Sequence, residues 1–90
     1  MYLKNKIKEG IVNAIREHIV TKGGRITPTA KDTTIELDYY GEIQKHHISG
    51  MYVTDEGIVA VESHHDGESD YDNLNHFSND EMLKIVELFY

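Results

Sequence analysis

The spacing of the apolar residues changes along this chain, and the changes predict a helix, then strands, then a second helix. In the first 22 residues, large aliphatic side chains recur every four positions, at Leu3, Ile7, Ile11, Ile15 and Ile19. This spacing predicts an amphipathic helix over residues 3–22, which Gly23 and Gly24 then end. Between residues 33 and 39 apolar and polar residues alternate, which indicates a strand, and turn signals delimit two further predicted strands up to residue 64. A helical spacing returns in the last twelve residues.

Three strands are predicted, over residues 33–39, 43–53 and 58–64. Gly41-Glu42 fits a tight type II′ turn between the first two strands. Asp55-Glu56-Gly57 fits a three-residue hairpin loop with a left-handed glycine between the second and third. Residues 25–32 are predicted to contribute at most a short extended arm, which Pro28 would confine to a sheet edge.

The loop at residues 55–57 predicts the register of the second hairpin. It sets the pairs Thr54–Ile58, Val53–Val59, Met51–Val61, Ile48–His64, His47–His65 and His46–Asp66. Four apolar residues then share one face of the hairpin, which supports this register. A four-residue turn over residues 54–57 would shift the pairing by one residue, and that alternative stays open.

The last helix is predicted to begin after Ser78, which forms a capping box with Glu81. Phe77 and Met82 are spaced as a hydrophobic staple across the same helix start. Residues 66–77, between the third strand and this helix, are predicted to form an acidic loop. The order of elements is therefore α-β-β-β-α. We expect an α+β fold with a three-stranded antiparallel meander and two helices packed on one face, forming one small domain over residues 1–90.

The charge of the chain is divided along its length. Residues 1–31 contain seven Lys and Arg but two acidic residues, a balance of +5, whereas residues 32–90 have a balance of −12. The formal net charge of −7 argues against nucleic acid or an anionic membrane as the main partner. The chain has no cysteine, no signal-peptide pattern and no apolar run of the roughly 20 residues that span a bilayer. We expect a cytoplasmic protein.

Four of the six histidines form two adjacent pairs, His46-His47 and His64-His65. The predicted register brings histidines from both strands to one end of the hairpin. Imidazole and carboxylate groups at such a distance are able to share Zn²⁺, Ni²⁺ or Cu²⁺. The candidate metal ligands are His47, His64, His65 and Asp66. The alternative is that these side chains are simply solvated strand ends.

The alternating acidic residues from Asp66 to Asp72 resemble the first ligands of a calcium-binding loop. An EF-hand loop that starts at Asp66 would need Gly at the position of Tyr71 and Glu at the position of Phe77. A solvated acidic loop is therefore the favoured interpretation.

The chain contains no nucleophile elbow, no phosphate-binding glycine loop and no HExxH motif, so we expect no enzymatic activity. The favoured function is a non-catalytic module that binds a protein partner or itself, for example as a homodimer through an edge strand. The expected interaction surface comprises Glu62, Asp66, Glu68, Asp70, Tyr71 and Asp72. The alternative function is metal binding by the histidine and aspartate cluster. No other cofactor is expected.

Overall fold

The computed structural model describes residues 2–90 and confirms an α+β fold with an antiparallel sheet. Two helices flank five strands and a 3₁₀ turn. In chain order these are α1 (Tyr2–Thr21), β1 (Arg25–Ile26), β2 (Thr34–Tyr39), β3 (Glu42–Val53), β4 (Val59–His65), β5 (Glu68–Asn73), the 3₁₀ turn (Leu74–His76) and α2 (Asn79–Glu87). Neither helix, within the part of the chain described, is both long and apolar enough to cross a bilayer.

The long strand β3 organises the sheet. β4 pairs with one side of β3, and β5 pairs with the far side of β4. The other side of β3 is shared by β1, opposite residues 51–52, and by β2, opposite residues 42–47. The predicted meander is therefore present as β2, β3 and β4, and two strands are added to it.

The prediction of an acidic loop over residues 66–77 was wrong, because most of this segment is β5 and the 3₁₀ turn. Asp66 and Gly67, both with positive φ, form the tight turn that returns the chain along β4. Acidic residues have low strand propensity, so the sequence of β5 resembles a loop. Their alternation is the two-residue period of a strand, which places Glu68, Asp70 and Asp72 on one face.

The hairpin between β3 and β4 begins in the predicted register and then departs from it. Val53 pairs with Val59 and Met51 with Val61, as predicted. Between Ile48 and Gly50 the ladder contains a β-bulge, in which Ser49 is an extra residue on β3. His47 therefore pairs with His64, and the predicted pairing of His47 with His65 was wrong.

The bulge is explained by the burial of Ile48. Without an extra residue, Ile48 and Met51 would point to opposite faces of the sheet. With it, both side chains lie in the core, at 1% and 0% exposure. Burying an isoleucine stabilises the fold by about 1.5–3 kcal/mol, which favours the bulged ladder.

The turn between β2 and β3 also differs from the prediction. Tyr39 pairs with Glu42, so the two turn residues are Tyr40 and Gly41 rather than Gly41 and Glu42. Both have positive φ, 55° and 84°, as in a type I′ turn. Tyr40 is an unusual residue for this conformation, and its side chain is fully exposed.

Both helices cover one face of the sheet, as predicted. Thirteen buried apolar residues from the helices, the strands and the segments on either side of α2 form one core cluster. From α1 this cluster takes Val12, Ile15 and Ile19, but Leu3 and Ile7 are exposed although they belong to the predicted apolar stripe. The first two turns of α1 therefore extend beyond the core.

The helix ends follow the sequence signals. Gly24 donates its N–H to the carbonyl of Ile19 and, like Gly23, has φ of 100°, which ends α1. Ser78 Oγ accepts a hydrogen bond from the N–H of Glu81 and caps α2. The predicted capping box is only half formed, because the Glu81 carboxylate accepts the N–H of Asp38 at 2.7 Å instead and so ties α2 to β2.

Candidate metal centre

The bulge at Ser49 decides which histidines point into the molecule. Beyond the bulge, Ile48 and His46 point to the helix-covered face of the sheet, and His47 points to the outer face. His46 is completely buried. On the neighbouring strands, His65 of β4 and Asp70 of β5 lie on the same face as His46. Three potential metal ligands thus come together from three adjacent strands.

Three rings form a row across this end of the sheet. The phenol of Tyr39 stacks on the imidazole of His46, with ring centroids 4.8 Å apart and an angle of 15°. The His65 imidazole lies on the other side, 4.3 Å from that of His46 and tilted by 38°. The Tyr39 hydroxyl donates to Asp72 Oδ2 at 2.8 Å. Burial and this bond to Asp72 raise the pKa of Tyr39, so its hydroxyl stays protonated.

Both nitrogens of His46 have polar neighbours. Nε2 lies 3.1 Å from Gln44 Oε1, and because an amide oxygen only accepts, Nε2 carries the proton. Nδ1 is then unprotonated and accepts from Ser63 Oγ at 3.3 Å. Burial, helped by the charge of His65, lowers the pKa of His46. The ring is therefore held neutral, and its Nδ1, which accepts from Ser63, lies 4.0 Å from Asp70 Oδ2.

His65 contacts Asp70 directly. Nε2 of His65 lies 3.0 Å from Asp70 Oδ2, the distance of a hydrogen bond. Its Nδ1 is buried and has no hydrogen-bond partner in the described part of the chain, the carboxylate of Asp66 lying 3.9 Å away. His65 and Asp70 keep 16% and 34% of their side-chain surface exposed, so the cluster is open to solvent on their side.

His46, His65 and Asp70 form the one group of three potential ligands that meets in the described residues, with ligand atoms all within 4.8 Å of one another. Two ligands of one tetrahedral zinc ion, each bonded at about 2.0–2.1 Å, are about 3.3 Å apart. The His65–Asp70 separation is close to this value. The 4.0 Å between His46 Nδ1 and Asp70 Oδ2 needs a small side-chain movement.

The structure brings one of the four predicted ligands, His65, into this cluster. His47 is exposed on the outer face, with Nδ1 2.9 Å from Thr33 Oγ1. His64 is also on the outer face, where its two nitrogens contact the hydroxyls of Ser49 and Ser69 at 2.9 and 2.8 Å. The fourth predicted ligand, Asp66, has a fully exposed side chain in the β4–β5 turn.

The residues of the expected acidic surface do not form one patch. Asp70 and Asp72 face the cluster, whereas Tyr71 lies on the outer face beside Glu62, its partner in the ladder. Glu62 is bound by Arg25 and by Ser49 Oγ, at 2.7 and 2.8 Å, and these two hydrogen bonds lower its pKa. The remaining two members, Asp66 and Glu68, are exposed near the β4–β5 turn.

His46 was missed as a ligand because the predicted ladder was continuous, and Asp70 was missed because β5 was predicted as a loop. The signal that indicates the bulge is Gly50, a glycine inside a strand pattern. The side chain of Arg25 lies where a Cβ at position 50 would be, with Nη2 2.6 Å away. Gly50 is therefore needed for the close approach of Arg25.

Comparison of the chain with protein-family models, with curated proteins and with solved structures finds no match.

Proposed function

We propose that this domain binds a divalent transition-metal ion, in the first place Zn²⁺, through His46 Nδ1, His65 Nε2 and Asp70 Oδ2. The observation that supports the proposal is that one ligand atom of each of these three residues, on three neighbouring strands, lies within 4.8 Å of the others. The proposed role is binding, not catalysis. We also propose a cytoplasmic location, because a chain without cysteine has no need of the oxidising compartments in which disulfides form.

The donor set favours a late first-row metal. Two imidazole nitrogens and one carboxylate suit Zn²⁺, Ni²⁺ or Cu²⁺, whereas Ca²⁺ and Mg²⁺ prefer sites made of oxygen atoms. Three protein ligands leave a fourth position of a tetrahedral ion for water. The partial exposure of Asp70 leaves room for such a water molecule.

The surroundings of His46 prepare it for this role. Metal-bound histidines usually donate their second N–H to a fixed acceptor, which sets the tautomer and the orientation of the ring. Gln44 Oε1 is that acceptor for His46, and Tyr39 holds the ring by stacking. The lowered pKa of His46 favours the neutral form, which is the form that binds metal.

Metal binding at this site would require an unprotonated nitrogen on each histidine, because a metal ion binds imidazole through a nitrogen that carries no proton. His65 Nε2 and Asp70 Oδ2 lie 3.0 Å apart, and both would serve as ligands. Affinity should therefore rise with pH while histidines lose protons.

Isothermal titration calorimetry of the chelator-treated domain with ZnCl₂ tests the proposal. We expect one ion per chain, a loss of affinity of about 10-fold or more in Asp70→Asn, and a similar loss in His65→Gln. His47→Gln and His64→Gln are matched controls on the outer face and should bind as the wild type does. Absence of binding in the wild type, or a loss that follows His47 and His64, would refute the proposal.

Protein contact is kept as a second proposal for this chain. Its support is the uneven charge, +5 in residues 1–31 against −12 in the remainder, and the exposed apolar residues Leu3 and Ile7. Pairing of two copies through an edge strand is less favourable than contact through these charged and apolar residues. β2 and β5 both carry acidic residues, which would oppose one another across a symmetric strand pair. Pull-down and light-scattering measurements test the proposal, and a monomer that retains no partner contradicts it.

A further inference from the structure

The apolar stripe of α1 continues past the edge of the core. Ile15 is buried and Ile11 packs partly against the core, but Ile7 and Leu3, one and two turns further on, are 57% and 70% exposed. These residues lie four positions apart and so share one face of the helix. An apolar helix face of this kind is a typical docking surface.

The exposed end of α1 is also basic. Lys4, Lys6 and Lys8 lie within the first two turns, where Glu9 is the one acidic residue. The rest of the chain, residues 32–90, has a balance of −12. A surface that is both apolar and acidic would therefore complement this segment in both respects.

Such a surface exists on the same chain. A groove of about 290 Å³ lies between the β2–β3 turn, β5 and the start of α2. Its walls include three aromatic rings and three carboxylates, from Tyr39, Tyr40, Phe77, Asp38, Asp72 and Glu81. Within residues 2–90 these carboxylates accept hydrogen bonds from Gly41, Tyr39 and Asp38, and none of them pairs with a cation.

The two complementary surfaces are neighbours. Lys8 Nζ donates to the backbone carbonyl of Phe77, a residue that lines the groove. When a surface and its complement lie side by side on one chain, a two-fold rotation is able to pair both at once. This symmetry favours a second copy over an unrelated partner.

We infer that the chain forms a two-fold homodimer in which Leu3, Ile7 and Lys4 of each copy dock into the acidic aromatic groove of the other. The inference extends the second proposal above. Its groove shares Tyr39 and Asp72 with the surroundings of the metal site, but it includes none of the three proposed metal ligands. Contacts between opposite charges at the rim should make the association weaker as salt concentration rises.

Sedimentation equilibrium of the full chain over a range of concentrations tests the inference. Leu3→Glu combined with Ile7→Glu should weaken the dimer by about 10-fold or more, because it places charges on the docked face. Val20→Glu is the matched control, since Val20 is 59% exposed on another face of the same helix and should leave dimerisation unchanged.

A second variant excludes misfolding as the cause of dissociation. Tyr40→Asn removes an aromatic wall of the groove while relieving a strained turn, so it should weaken the dimer and raise the melting temperature of the monomer.

Three outcomes overturn the inference: a wild-type monomer up to about 1 mM, a dimer that persists in both variants, or equal dissociation by Val20→Glu. A monomer that binds anionic vesicles through α1 would assign the face to a membrane instead. None of these variants replaces a proposed zinc ligand, so their outcomes do not decide the metal proposal.

Discussion

The guanidinium of Arg25 lies over Gly50 and binds the carboxylate of Glu62, with Nη2 2.7 Å from Oε1. A methyl group at position 50 would occupy the space of Nη2. Since Arg25 is flexible and 46% exposed, Gly50→Ala should displace it and change the free energy of unfolding by less than about 1 kcal/mol. The pKa of Glu62 should rise towards 4.5, as seen by NMR titration. An unchanged Glu62 pKa would show that Arg25 does not depend on Gly50.

Replacement of Tyr40 tests the strained turn between β2 and β3. Tyr40→Asn should raise the free energy of unfolding by about 0.5–1 kcal/mol, because asparagine adopts positive φ more readily than tyrosine. Gly41→Ala, at the neighbouring position with φ of 84°, should lower it by about 1 kcal/mol or more. Urea denaturation measures both. If Tyr40→Asn instead lowers the free energy of unfolding, the contacts of the tyrosine ring stabilise the fold by more than the strained turn destabilises it.

The position of the bulge predicts opposite sensitivities for two neighbouring residues. Ile48→Ala should cost about 2–4 kcal/mol because Ile48 is buried in the core. Ser49→Ala should cost about 1 kcal/mol, since it removes the hydroxyl contacts with Glu62 and His64 at the partly exposed bulge. Thermal unfolding measures both. A small effect of Ile48→Ala would instead favour the continuous ladder, in which Ile48 lies on the outer face.

The burial of His46 predicts how stability depends on pH without metal. Its folded-state pKa lies below the ordinary 6.5, so the unfolded chain binds more protons in this range. The contribution of His46 to stability is complete above about pH 6.5 and is lost as pH falls through the lower folded-state pKa. Urea denaturation in EDTA between pH 7 and pH 5 should therefore show a decrease that is smaller in His46→Gln. Equal decreases in both proteins would contradict the predicted role of His46.

The helices and the central hairpins were predictable because their signals are local. Four-residue spacing with a Gly-Gly end marks α1, and Ser78 marks the start of α2. The loop ending at Gly57 fixed the first pairs of the β3–β4 ladder. β5 was missed because its sequence has the low strand propensity of acidic residues, and its place in the sheet is determined by pairing with β4.

The candidate site was predictable only in part, because it depends on a single extra residue. A shift of one position in a strand exchanges the faces of all the residues beyond it. Ser49 makes that shift and brings His46, rather than His47, beside His65. The energy that selects the bulge comes from the burial of Ile48 in the tertiary structure, which local spacing alone does not show.

Long-range ¹H–¹⁵N NMR of the histidine side chains tests the central claim most directly, because it identifies which ring nitrogen binds a metal. The spectra are compared before and after one equivalent of Zn²⁺. We predict that the nitrogens that change are Nδ1 of His46 and Nε2 of His65, with His47 and His64 keeping their metal-free tautomers. Changes confined to His47 and His64, or spectra without any change in His46 and His65, would contradict the proposed metal site.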